Sequence, residues 1–229
     1  VNISEKLNDF ELGWRLNNKN FKINTNIYYM LYKDQLVLTG AIDDTGAPLR
    51  ATSGKSYRLG LEVDALIRLS NKLSLQPNIA ISNNKNVDFI TSWNGELVDL
   101  GNTDISFSPN IIAANAIVFQ PAKSIQFSLL SKFVGEQFMG NIDNKNSKLD
   151  SYFLNDFNAS YEIKPNKVFK AIVFNALLNN IFNTEYISNG YYFTYDDTWS
   201  VNGKTTTLDG AGYYPQATRN FLIGATLKF

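Results

Sequence analysis

The groups that could do chemistry here are defined first by two absences: the 229 residues contain no His and no Cys. His is the usual general base and metal ligand near neutral pH. Ser-His and Asp-His catalysis are therefore excluded, together with thiolate metal sites and disulfides. Two acidic pairs remain as cation candidates, Asp43–Asp44 and Asp196–Asp197. A hard cation gathers six or more oxygens, so two carboxylates in a polar stretch read as a solvated turn, and neither a metal nor a cofactor is expected. Aromatic side chains are stronger candidates. Trp93, Tyr191, Tyr192, Tyr195 and Trp199 lie in long polar stretches that need no ring for solubility. Such rings stack on a flat ligand or pack one loop on another, and the sequence leaves both readings open. Four further charged residues, Arg58, Glu62, Asp64 and Arg68, share one parity of a single run.

That run, Tyr57 to Ser70, shows what must position them. Tyr57, Leu59, Leu61, Val63, Ala65, Ile67 and Leu69 fall on one face of an extended strand, and Arg58, Gly60, Glu62, Asp64, Leu66, Arg68 and Ser70 on the other. The run exceeds a usual soluble strand and more than covers the roughly 9–11 residues that cross a bilayer obliquely. The apolar face is expected to meet lipid and the charged face a watery lumen. Composition agrees: charged residues are 18%, against about 25% in an average globular domain, and aromatics are 14%. A formal net charge of zero gives no footprint for nucleic acid. No apolar run is long enough for a membrane helix. No signal peptide is visible from Val1 onward, so either it has been removed or this chain is the tail of something longer.

Alternation recurs along the chain. It marks strands around Phe10–Leu16, Phe21–Leu31, Tyr57–Ser70, Leu73–Ile81, Ile105–Phe119, Ile125–Phe133, Phe153–Ile163, Val168–Leu178 and Phe221–Phe229, about nine in all. Tight links at Asn18–Asn20, Asn71, Pro121–Lys123 and Pro165–Lys167 alternate with long polar loops at Thr39–Ser56, Asn83–Asp104, Gly135–Asp150 and Asn183–Arg219. Short turns at one end and long loops at the other are the arrangement of outer-membrane barrels. Pro77 and Pro109 fall inside these strands and mark bulges or misplaced boundaries. Trp14, Tyr28, Tyr29 and Tyr32 are expected in an interfacial aromatic girdle. Single-chain bacterial barrels have even strand numbers, so nine strands imply an open part of a larger barrel, whereas a miscount of one would give a small closed one.

Three segments carry a resemblance to a known family. EKLNDFELGW (Glu5 to Trp14), LLNNIFNTEY (Leu177 to Tyr186) and YYPQATRNFLIGATLKF (Tyr213 to Phe229) resemble TonB-dependent outer-membrane receptors, especially those of Bacteroidetes-type bacteria. Thr218 departs from the Gly often found before the Arg in that family. The resemblance implies that residues 1–229 are all-β, the C-terminal portion of an antiparallel 22-stranded transmembrane barrel without its plug domain. It implies a multi-pass outer-membrane location and TonB-energised uptake of a scarce large nutrient of siderophore, haem or cobalamin type, with no enzymatic role. The implied partners are outer-membrane lipid, the plug and N-terminal strands, TonB through that plug, and the barrel-assembly machinery. Phe229 would be the assembly signal, Arg58, Glu62, Asp64 and Arg68 would face the plug, and Trp93, Tyr191, Tyr192, Tyr195 and Trp199 would contact ligand. The alternative is a self-contained small outer-membrane barrel acting as a pore or enzyme.

Overall fold

The computed structural model describes residues 4–42, 45, 48–165 and 168–229. Nine long strands carry it: β1 (Lys6–Asn17), β2 (Phe21–Lys33), β3 (Lys55–Arg68), β4 (Leu73–Val87), β5 (Ile111–Ala122), β6 (Ile125–Val134), β7 (Tyr152–Ile163), β8 (Ala171–Asn179) and β9 (Asn220–Lys228). Each pairs antiparallel with the next, giving a meander in chain order whose two outer strands, β1 and β9, do not pair with each other. This is the expected strand number, in an open sheet.

Register aligns the side-chain alternation across the sheet. One row runs Leu12–Ile27–Leu61–Ile81–Ile111, and the next runs Trp14–Thr25–Val63–Ile79–Ala113–Phe133–Phe153. The neighbouring parity carries Arg15–Asn24–Asp64–Asn78–Ala114–Lys132. A one-residue slip would exchange the two faces completely, so the alternation fixes the register. The apolar rows are not buried against another layer: Leu12 is 74% exposed, Phe221 70% and Ile223 77%. A water-soluble protein would not leave such rows wet. The small buried cluster of Met139, Leu149 and Tyr192 lies in the long loops, away from the sheet.

Several boundaries differ from the sequence reading. β5 starts at Ile111, so Pro109 lies in the preceding loop, where no ladder hydrogen bond is needed. Pro77 is inside β4, paired with Asn115; on its other side the ladder lapses between Asp64↔Asn78 and Ile67↔Leu75 and resumes in the same register. The loop expected at Asn83–Asp104 is displaced because β4 continues to Val87. Tyr29 faces the apolar side beside Tyr57, with ring centroids 6.2 Å apart. Tyr28 and Tyr32 share the parity of Asn24 and Asn26 and so fall on the polar face, not in an outward girdle. The Tyr28 ring lies over Gly60 on β3, where an added Cβ would collide with it. Asp43 and Asp44, and part of the Pro165–Lys167 link, lie outside the described residues.

Candidate functional site

All four long connections, 34–54, 88–110, 135–151 and 180–219, emerge at the same end of the sheet, as the antiparallel order requires. They are knitted together by one hairpin, Ile187–Asp197 with Thr206–Pro215. On one face of this hairpin Tyr192 packs onto Met139 and Leu149, with Ile142, Ile187 and Ala211 around them. Glycines permit the approach: a Cβ on Gly140 would lie 2.8 Å from the Tyr192 ring, and one on Gly190 would lie 2.6 Å from the Met139 sulfur. Asn146 Nδ2 donates to Asp209 (2.9 Å), and the Tyr213 hydroxyl donates to the Asn146 carbonyl (2.7 Å).

The 88–110 connection reaches the same hairpin through its own tip. Ile90–Trp93 and Glu96–Asp99 are joined by Asn94 (φ 55°) and Gly95 (φ 79°), the two-residue turn with both φ positive that Asn-Gly favours. The Asn94 N–H donates to Thr207 Oγ1 (2.6 Å), the Thr207 N–H returns to Asn94 Oδ1 (2.8 Å), and the Thr207 hydroxyl donates to Asp196 (2.6 Å). Further along, Thr194 pairs parallel with Ala41 of the Leu36–Ile42 strand. The hairpin therefore ties all four connections into one layer. A cleft of about 940 Å³ opens in it, lined among others by Val37, Arg50, Phe89, Ile90, Tyr195 and Trp199.

The opposite face of the hairpin is a row of rings. Tyr214, Tyr191, Phe193, Tyr195 and Trp199 follow one another with centroids 6.0, 6.2, 6.4 and 6.4 Å apart. The last three contacts are within 21° of parallel. The positions opposite Tyr191 and Phe193 are Gly212 and Gly210, and the rings fold down over them: a Cβ on Gly210 would lie 2.6 Å from Phe193 Cζ. Rings that lie flat on the neighbouring strand present a face to solvent, and Tyr191, Tyr195 and Trp199 are 51%, 39% and 72% exposed.

Of the five rings named from sequence, the structure brings Tyr191, Tyr195 and Trp199 together on this exposed face. Tyr192 is on the other face, buried in the loop core. Burial, helped by the negative charge of Asp209, pushes its phenol far above the ordinary tyrosine value. Trp93 stands beside the Asn94–Gly95 tip, half-buried. Sequence reading missed Phe193 and Tyr214; the signal was the Tyr-x-Phe-x-Tyr alternation opposite Gly-x-Gly. The Asp196–Asp197 pair is a loop brace. Asp196 takes the Thr207 hydroxyl, and Asp197 accepts the N–H groups of Trp199 (3.1 Å) and Ser200 (3.0 Å), the Ser200 bonds holding its carboxyl below the usual range.

On the polar face of the sheet, Arg58, Glu62, Asp64 and Arg68 share one side of β3, as expected. Arg58 donates to Ser108 Oγ (2.9 Å), Asp64 accepts from Asn24 (2.8 Å), and Arg68 reaches the Lys19 carbonyl (3.1 Å). Glu62 lines a cavity of about 380 Å³ with Glu11, Tyr28 and Arg58. Phe229 is exposed, its ring meeting Phe169 edge-on at 5.0 Å. The NNIFNTEY motif has a structural cause. Asn180 adopts φ 49°, donates to the Thr184 carbonyl (2.8 Å) and accepts the Thr184 N–H (2.9 Å), while its own N–H goes to Asp156 (2.7 Å). The amide side chain closes the turn that leaves β8.

No curated protein matches the sequence. Among solved structures, the ferric citrate transporter FecA in unliganded form shares 19% identity and a TM-score of 0.69, covering 98% of this chain and 31% of its own. The ferric-catecholate import receptor Fiu of E. coli K12 shares 15% and 0.66, with 98% and 28% covered. The ferric yersiniabactin uptake receptor FyuA of Yersinia pestis shares 16% and 0.64, with 96% and 29% covered. At these identities the likeness is one of fold, and the chain spans less than a third of each of these proteins. The model of the TonB-dependent receptor-like β-barrel matches residues 3–181. The chain belongs to the family of TonB-dependent receptor β-barrels.

Proposed function

We propose that this chain is the C-terminal part of the barrel of an outer-membrane receptor for TonB-energised uptake of a scarce, large nutrient. The observation that carries this reading is the row structure of the sheet. Apolar side chains predominate on one face across nine antiparallel strands, interrupted by the row Asn115–Ser131–Asn155, polar side chains are concentrated on the other, and the four long connections share one end. Such a sheet is stable only with hydrocarbon on one side and water or polar protein on the other. The wall contributes no chemistry of its own, and coupling to TonB belongs to a plug carried elsewhere in the receptor.

In this reading Arg58, Glu62, Asp64 and Arg68 face the plug, and Phe229 serves recognition by the barrel-assembly machinery. Tyr191, Tyr195 and Trp199 contact the nutrient, with Trp93 and Tyr192 supporting them from within the loop layer. A ferric siderophore is the favoured cargo, since the similar structures described above bear the names of ferric catecholate, yersiniabactin and citrate receptors. The test is uptake of radiolabelled ferric siderophores by cells with and without the receptor, in strains with and without TonB. Uptake should require both. Accumulation that persists without TonB, or fractionation of the receptor outside the outer membrane, would refute the proposal.

A further inference from the structure

The apolar face of the sheet ends, on the side of the long connections, in three lysines abreast. Lys6 on β1 pairs opposite Lys33 on β2, and Lys33 opposite Lys55 on β3. All three have the parity of the apolar side chains, Lys6 with Phe10 and Leu12, Lys33 with Ile27 and Tyr29, Lys55 with Leu59 and Leu61, and all three are exposed. Directly opposed residues of an antiparallel pair hold their Cβ atoms about 5 Å apart, and like charges there repel. Among the described residues no carboxylate lies within ion-pair reach of any of the three. Glu5, next to Lys6, is taken by the Leu36 N–H (3.2 Å), and the residue opposite Lys55 on its other side is Val87. Lys85, one row nearer the middle of the wall, does have an acid, Asp104 at 2.7 Å. The row of three is therefore left with its charge uncompensated just where the apolar rows stop. Beneath it the Tyr29 and Tyr57 rings lie side by side, and tyrosines at such a boundary sit at headgroup level.

We infer that this row is a docking site for a phosphate-bearing lipid headgroup, in the leaflet at the long-connection end of the wall. The inference rests on the membrane-spanning receptor reading, which puts outward side chains at this height among headgroups. Charge specifies which headgroup. A zwitterionic or uncharged one would leave three ammonium groups repelling one another, whereas phosphate oxygens give each a charge-assisted acceptor. Lys33 and Lys55 are the determinants, because each is flanked on both sides by strands of this chain; Lys6, on the edge strand β1, extends the site. An anionic surface attracts each nearby lysine by an amount worth roughly fivefold in affinity. At physiological salt that attraction fades over about 8 Å, so it is local to the row.

The test uses the complete receptor. In neutral detergent, native mass spectrometry compares binding of diphosphoryl lipid A, the same lipid with both phosphates removed, and phosphatidylcholine. The diphosphoryl form should bind tightest, and excess inorganic phosphate should not displace it. Lys33→Gln and Lys55→Gln should each weaken it roughly fivefold. Lys33→Arg should keep it, and Lys22→Gln, on the polar parity at the other end of β2, should leave it unchanged. A second measurement is expected to change sign with the lipid. In phosphatidylcholine vesicles Lys55→Gln relieves repulsion and leaves the urea midpoint equal or higher, whereas in vesicles that also contain diphosphoryl lipid A it lowers the midpoint. A lysine with a merely structural role would shift both midpoints the same way. The inference is overturned if the dephosphorylated lipid binds as well, if inorganic phosphate displaces the lipid, or if the Gln variants bind like the parent, as an acid elsewhere in the receptor neutralising the row would cause. It is equally overturned if an acidic protein, and not lipid, co-purifies in a manner that depends on Lys33. A receptor that inserts into none of these vesicles defeats the receptor reading and this inference with it; one that inserts without any phosphate dependence defeats this inference alone.

Discussion

Leu61 lies at the middle of β3 and at the centre of the row Leu12–Ile27–Leu61–Ile81–Ile111, and its side chain is 38% exposed. If that exposed surface meets hydrocarbon, Leu61→Lys places an ammonium near the bilayer midplane. On a barrel's lipid face this costs about 2–4 kcal/mol at the midplane and about 0–1 kcal/mol at the interfaces. Leu69, on the same face, is eight residues further toward the short-turn end. At about 3.3 Å per residue and a tilt of roughly 40°, it is displaced by about 20 Å along the membrane normal. The apolar band extends only about 12 Å to either side of its centre. Leu69→Lys should therefore cost no more than about 1 kcal/mol, and Glu62→Lys, one residue from Leu61 but on the opposite face, similarly little. Urea titration of the receptor refolded into lipid vesicles, followed by tryptophan fluorescence, reads these differences as midpoint shifts. The order Leu61→Lys far above Leu69→Lys and Glu62→Lys is required. Equal losses at positions 61 and 62 would mean that the two faces of the sheet see the same medium, and the membrane reading would fail.

Burial and the neighbouring charge of Asp104 raise the Asp143 carboxyl above its ordinary value, so its ionised form is disfavoured in the folded loop. Its contribution to stability therefore declines as pH climbs past the ordinary aspartate range and is at its lowest above Asp143's own raised value. Asp143 also sits at φ 51°, which Asn tolerates better, and Asn keeps the acceptor for the Asp104 N–H (2.9 Å). Asp143→Asn should thus slow hydrogen exchange in residues 135–151 at neutral pH, a gain of about 0.5–1 kcal/mol that disappears in acid. Asn180→Ala removes two hydrogen bonds and puts Ala at φ 49°; a local loss of about 2–3 kcal/mol should appear as faster proteolysis of 181–219 with the sheet intact. Gly60→Ala should displace the Tyr28 ring and cost about 1 kcal/mol, a cost abolished in a Tyr28→Ala background, so that a double-mutant cycle measures the contact.

Much of the wall was legible in the sequence because alternation has a period of two and each face of a long strand keeps one character along most of its length, the row Asn115–Ser131–Asn155 excepted. The strand count and the apolar-face members of β3 follow from that one rule. The rule does not rank positions near strand ends. Residue type alone points Tyr28 and Tyr32 to an outward girdle, yet their parity with Asn24 and Asn26 assigns them to the polar face. Ile105 and Phe107 continue the pattern of β5 by composition alone, but Phe107 at φ 51° turns the backbone out of extension before the strand begins, and the loop takes them.

The loop layer was harder to read for a physical reason. In the wall each face has one solvent, whereas in the hairpin that knits the loops both faces are aromatic. Tyr191 and Tyr192 are neighbours of the same type, and only the pairing of Tyr191 with Gly212 and of Tyr192 with Ala211 decides which is presented and which is buried. The glycines are the informative residues. Gly140 and Gly190 let one loop press onto the Tyr192 side, while Gly210 and Gly212 let the rings on the other side lie flat. A side chain at position 210 or 212 would stand the rings up and turn a platform into a ridge. Gly212→Val should thus weaken nutrient binding while leaving the Tyr192 cluster and the barrel unchanged; retained binding in that variant would show that the flat arrangement of the rings plays no part in recognition.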